Sequence, residues 1–97
     1  METVVATGEW LYDGSAPCTV RVLMLDYDFW YTVAAADADL EPDEAPALND
    51  EGHLYYIRYR PGWREGEPFW PDSQGFPSLV EAVSAAQSQV PGAIVWQ

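Results

Sequence analysis

The chain contains no lysine, one histidine, one cysteine and four arginines among its 97 residues. Each shortage excludes something. With Cys18 alone, no intramolecular disulfide can form, and no Cys/His cluster has the spacing of a metal centre. Sixteen acidic residues against the four arginines leave a formal net charge of -12. Such a chain repels phosphate backbones and anionic lipid surfaces, which argues against nucleic acid or a membrane as its direct partner. The longest apolar run, FWYTVAAA, is far short of the ~18 residues that a membrane span needs. The opening METVVATGEW lacks the basic and then apolar regions of a secretory leader, and a single cysteine suits a reducing compartment. A soluble, cytoplasmic protein is therefore expected. Lysine-poor, acidic composition also arises in GC-rich and halophilic genomes, so the charge has to be read from its placement as well as its sum.

What the chain has in quantity is aromatic mass. Five Trp, six Tyr and three Phe exceed what a disordered, highly charged segment carries. One folded domain over residues 1–97, with a modest core, is the expectation.

Residues 3–12 alternate, which places Val4, Ala6, Trp10 and Tyr12 on one face of a strand, with Gly8 as a possible bulge. DGSAP then reads as a turn. In CTVRVLMLDYDFWYTVAAA, Val20, Val22 and Met24 face one way and Leu23, Leu25 and Tyr27 the other, as in a central strand covered on both sides. DYD at 26–28 either bends one long strand or separates two. HLYYIRYR predicts a strand with Tyr55, Ile57 and Tyr59 inward and Tyr56, Arg58 and Arg60 on a wet face, ended by Pro61 and Gly62 in a type II turn. Residues 63–76 have no period and read as an irregular aromatic loop. Ser78 and Glu81 form a capping box for a helix with Leu79, Val83, Ala86 and Val90 on its apolar face, stopped by Pro91 and Gly92 before a short strand AIVW. The fold class that follows is α+β, with an antiparallel sheet of four to five strands, one C-terminal helix packed on it and a short final strand.

Catalytic and metal readings fare poorly. His53 and Cys18 are 35 residues apart with no supporting motif, so His53 reads as a turn histidine and Cys18 as a small hydrophobe. Asp37, Asp39 and Glu41 alternate as the first ligands of a calcium loop do. The turn glycine is replaced by Pro42, however, and the bidentate glutamate by Leu48. No catalytic residue, metal site or cofactor is assigned. A small enzyme or ligand-binding domain would need an enclosed pocket bringing His53 or Cys18 beside a carboxylate.

Surface recognition is the better reading. Seven of the fifteen residues in DADLEPDEAPALNDE are acidic: Asp37, Asp39, Glu41, Asp43, Glu44, Asp50 and Glu51. They form either a solvated connection or a face that steers a basic protein partner. Trp63, Phe69 and Trp70 are the expected anchors, because desolvated aromatics supply most interface energy.

The tail PSLVEAVSAAQSQVPGAIVWQ resembles the C-terminal end of a bacterial immunity-protein family that accompanies polymorphic toxins, notably deaminase-type toxins acting on nucleic acid. The likeness lies in the polar-capped, alanine-rich helix and the following Pro91, Ile94 and Trp96; the preceding YYIRYRPG is in keeping. It covers residues 77–97, and the first half of the chain carries no match. The resemblance implies an immunity protein that occludes the basic, nucleic-acid-binding cleft of a cognate toxin, with Pro91 and Trp96 in structural roles. No toxin-contacting residue is carried over. The alternative is a phage anti-defence protein or nucleic-acid mimic that presents spaced carboxylates to a host nuclease.

Overall fold

Six elements build the domain in a computed structural model that describes residues 2–60, 64 and 67–97. In chain order they are β1 (Glu2–Tyr12), β2 (Ala16–Leu25), α1 (Phe29–Ala36), β3 (Leu54–Arg58), α2 (Leu79–Gln89) and β4 (Val95–Trp96). The four strands form one antiparallel sheet in the order β3-β2-β1-β4. The expected α+β class, sheet, C-terminal helix and short last strand are all present. The predicted turn at Pro61–Gly62 lies outside the described residues.

The β1–β2 hairpin turns where the sequence places Asp13 and Gly14. Both have positive φ (54° and 75°), and Ser15 N donates to Tyr12 O at 3.1 Å. The connection is three residues long, with Tyr12 facing Ala16, and its two left-handed positions are ones that Asp and Gly tolerate.

The alternation read along β1 breaks at Val5. The register with β2 shifts between Val4 and Ala6, so the bulge is there and not at Gly8. A one-residue slip moves every later side chain to the other face. Val4 accordingly packs with Leu23, Leu25, Leu54 and Tyr56, whereas Trp10 packs with Val20, Ile57, Ala86, Val90 and Ile94 on the opposite side. Gly8 has a different task. A Cβ there would lie 2.5 Å from Ile94 Cγ2 and 3.0 Å from the Trp96 ring, so its bare backbone admits β4 to the sheet edge.

Both faces of β2 are buried, as its continuous apolar run predicts. Helix α2 covers one face. Ser78 caps it, accepting from Glu81 N at 3.2 Å and donating from Oγ to Glu81 Oε2 at 2.8 Å. The buried stripe is Ala82, Ala86 and Val90: the last two as expected, with Ala82 buried in place of Leu79 and Val83. Leu79 stays at the rim, because two alanines let the helix approach the sheet closely where leucine would hold it away.

The other face carries the main departure from the sequence reading. FWYTVAAA is neither the continuation of a strand nor a second one, but helix α1. Asp28 is its N-cap, with Oδ1 accepting from Tyr31 N at 3.1 Å. Its end is a Schellman motif: Asp39 N bonds Ala34 O at 2.8 Å and Ala38 N bonds Ala35 O at 3.2 Å, with Ala38 at φ 56° where glycine is usual. Phe29 is the buried residue of α1, and it seats the helix on Leu23, Leu25, Leu54, Tyr56 and Phe69. Strand β3 consequently has no wet side at its centre, since Tyr56 and Ile57 are both fully buried.

Tyr56 ties α1 to β3. Its Oη accepts from Phe29 N at 2.8 Å and lies 3.5 Å from Asp28 Oδ1. Burial, reinforced by the Asp28 charge, pushes the phenol up to about 12. The folded state therefore keeps this proton after the unfolded chain, with a tyrosine near 10, has lost it. The resulting stabilisation is complete below about pH 10 and disappears as pH rises towards 12, a change on the order of 2 kcal/mol. Alkaline urea titrations should show the fall, and Tyr56→Phe should flatten it while costing about 1–2 kcal/mol at neutral pH through the orphaned Phe29 N–H. Equal slopes between pH 10 and 12 in the two proteins would refute this role for Tyr56.

Candidate functional site

The site begins with how the acidic stretch is held. It leaves the C-terminal end of α1 at Asp37 and returns to the N-terminal end of the same helix, where Ala47 N donates to Asp28 Oδ2 at 2.9 Å. A second clip follows at Asn49. Its Oδ1 accepts from Glu51 N and His53 N, both at 2.9 Å, and its Nδ2 donates to Pro77 O at 2.9 Å. The stretch is thus a loop strapped alongside an eight-residue helix that is about 12 Å long. Asp37, Asp39, Glu41, Asp43, Glu44, Asp50 and Glu51 are all exposed on it. Five of these seven carboxylates fall within residues 37–44, and they repel one another in the space of a single short turn-rich segment.

The aromatic anchors fall out differently from the sequence reading. Trp70 is 52% exposed. Phe69, its neighbour, is 6% exposed and belongs to the core beneath α1, so it supports the surface instead of forming it. Trp63 lies outside the described residues. A tryptophan not anticipated in the sequence lies beside Trp70. Trp30, in the first turn of α1 and 38% exposed, meets Trp70 with ring centroids 5.5 Å apart and planes at 88°. Phe29 underlies both, 5.0 Å from Trp30 and 5.2 Å from Trp70 and nearly perpendicular to each. Recognising FWYT as the start of an Asp-capped helix would have put Phe29 inward and Trp30 at the edge; that cap was the available signal.

Polar bonds hold the Trp30 indole and the backbone that carries Trp70. Trp30 Nε1 donates to Ser73 O at 3.0 Å, and Ser73 Oγ in turn accepts from Ile57 N at 2.9 Å. Arg58 Nη1 donates to Trp70 O at 2.9 Å. Residues 72–76 run along the outer edge of β3. Asp72 N donates to Ile57 O, and Tyr55 and Phe76 exchange both backbone bonds, each at 2.8 Å. The Asp72 side chain is fully buried. Its Oδ2 accepts from Tyr59 N at 2.9 Å and Arg60 N at 3.0 Å, while Oδ1 lies 2.8 Å from Arg60 Nε and 3.5 Å from Arg58 Nη1. The aperiodic loop thereby closes one edge of the sheet and carries Trp70 on its back.

The remaining sequence candidates are far apart. His53 precedes β3 at the end that pairs with Leu25, whereas Cys18 lies seven residues away at the other end of β2, about 23 Å along the strand. Cys18 packs partly against the core beside Trp10. Among the described residues no group of three or more His, Cys, Asp or Glu side chains is arranged to hold a metal ion, and no helix is long and apolar enough to cross a membrane. A groove of about 650 Å³ runs between the hairpin and the C-terminal tail, lined by Glu9, Trp10, Leu11, Pro91 and Val95 among others. Glu9 is the one ionisable side chain that lines it. Comparisons with protein-family models, with curated proteins and with solved structures find no match.

Proposed function

We propose that this domain is a stoichiometric inhibitor of a basic protein, of the immunity type, which covers a cationic cleft that would otherwise hold nucleic acid. One observation carries the reading. The acidic loop is strapped by Asp28 to the helix turn that presents Trp30, so a dense negative field and a rigid apolar patch occupy the same side of the sheet. Charge of this density accelerates encounter with a basic surface, and aromatic anchors supply the affinity once contact is made. A cleft built for phosphates is the natural complement of both. The family resemblance of the C-terminal tail points to the same activity from unrelated residues.

The test is kinetic. Protein immobilised at low salt should capture a basic protein from the source lysate. Once identified, that partner should associate with a rate that falls roughly tenfold or more as ionic strength rises from tens to hundreds of millimolar. Neutralising Asp37, Asp39, Glu41, Asp43 and Glu44 together, as amides, should slow association to a similar degree and leave dissociation nearly unchanged. A partner without a basic surface, or association indifferent to salt, would sink the proposal.

A further inference from the structure

Several large apolar side chains are exposed, among them Leu11, Tyr12, Val80 and Val95. Trp30 and Trp70 differ from these in making direct ring contact with each other beside the acidic loop. We infer that this indole pair is the seat of an arginine side chain of the partner, a reading that rests on the inhibitor function proposed above and names its anchor chemistry.

Three features lead to arginine. First, the surroundings favour a cation. The loop that leaves the C-terminal end of α1 and rejoins its first turn at Asp28 carries five exposed carboxylates between residues 37 and 44, so the field around the helix is negative. Second, the pair is built for a planar, weakly hydrated cation. Two indoles held at 88° each offer π surface, and a guanidinium stacks on such surface at less desolvation cost than an ammonium. Third, the pair is partly ordered before binding. Trp30 Nε1 is fastened to Ser73 O, Arg58 holds the backbone of Trp70 at its carbonyl, and the Phe29 ring packs against both indoles, so part of the ordering cost is met before binding. The domain's own Arg58 does not occupy the patch. Its side chain is 15% exposed and engaged with Asp72 and the Trp70 carbonyl.

The experiment uses the whole chain and a short Gly/Ser peptide carrying two arginines. The same peptide with citrulline, lysine or norleucine at those positions serves for comparison. Binding is followed by indole N–H shifts in NMR and by tryptophan fluorescence. The arginine peptide should bind saturably and move the Trp30 and Trp70 signals. Citrulline, which keeps the shape and loses the charge, should bind roughly three- to tenfold more weakly, and lysine and norleucine more weakly than arginine. Trp70→Leu keeps an apolar side chain without π surface and should weaken the arginine peptide by a similar factor; Trp70→Ala, checked for folding by circular dichroism, should do the same. Equal binding of the arginine and citrulline peptides, equal binding of arginine and lysine, or unchanged affinity in Trp70→Leu would each overturn the assignment. Affinity that survives in Trp70→Leu but vanishes when the five loop carboxylates are neutralised would discard the arginine seat and leave the acidic docking face standing. Salt-independent association with the protein partner would instead remove the inhibitor reading itself.

Discussion

Asp72→Ala is expected to cost about 3–5 kcal/mol of folding stability, a large share of the roughly 5–15 kcal/mol that holds a domain of this size together. The reason is the number of groups that one carboxylate satisfies. Its Oδ2 accepts the backbone N–H groups of Tyr59 and Arg60, just past the end of β3, the edge strand of the sheet among the described residues. Its Oδ1 makes close charge contacts with Arg60 and Arg58, although without the alignment of a hydrogen bond. Alanine leaves the two N–H groups without their acceptor and strips a largely buried Arg58 of its counter-charge, and an uncompensated buried charge is the expensive outcome. The Arg60 side chain is 66% exposed and can return to water, so its share of the loss is small. Asp72→Asn retains a carbonyl oxygen for the N–H groups and should lose about half as much. Urea midpoints at neutral pH measure both. With the 72–76 strap loosened, β3 becomes an open edge, and light scattering should show concentration-dependent association in the alanine variant. A midpoint within error of the parent protein would mean that the edge is held by the backbone bonds of 72–76 alone.

How far these features could be read in advance depends on the range over which each is determined. The capping box at Ser78 and Glu81, the Asp-Gly turn and the doubly apolar β2 are local patterns, and each was legible. The bulge at Val5 was not, because nothing in TVVAT distinguishes the extra residue; its consequence, Val4 and Trp10 on opposite faces, follows from pairing with β2. Helix α1 was hidden by its own composition. An eight-residue run of apolar residues fits a buried strand as well as a helix, and periodicity cannot choose between them. Of the site, the exposed acidic loop was legible, since seven carboxylates and two prolines cannot be buried. The division between Phe69 and Trp70 was not, because an aperiodic segment gives no rule for which of two adjacent rings turns inward. Asp72 sits in the same aperiodic segment with no local pattern to mark it, and its partners lie 12 to 14 residues upstream on a strand edge that only the fold reveals.

Phe29→Ala should couple stability to recognition. Phe29 is the buried side chain of α1, and its ring meets Trp30, Tyr56, Phe69 and Trp70 at centroid distances between 5.0 and 6.3 Å. Removing it should cost about 3–5 kcal/mol, the usual loss for a buried phenylalanine whose cavity cannot collapse. Collapse is resisted here because the Trp30 indole is tied to Ser73 and the backbone of Trp70 to Arg58. Phe29→Leu replaces most of the volume and forfeits chiefly the edge-to-face contacts; its cost should stay near 1–2 kcal/mol. The two variants together separate packing from ring geometry. In Phe29→Ala the near-ultraviolet circular dichroism of the Trp30–Trp70 pair should fall at temperatures where the far-ultraviolet signal is still native. Partner dissociation should quicken several-fold, although Phe29 lies beneath the surface. Its association rate should keep its salt dependence, since the carboxylates from Asp37 to Glu51 are untouched. Should the variant lose less than about 1 kcal/mol and retain the tryptophan signal, α1 would have to be held by Asp28 and Tyr56 rather than by this ring.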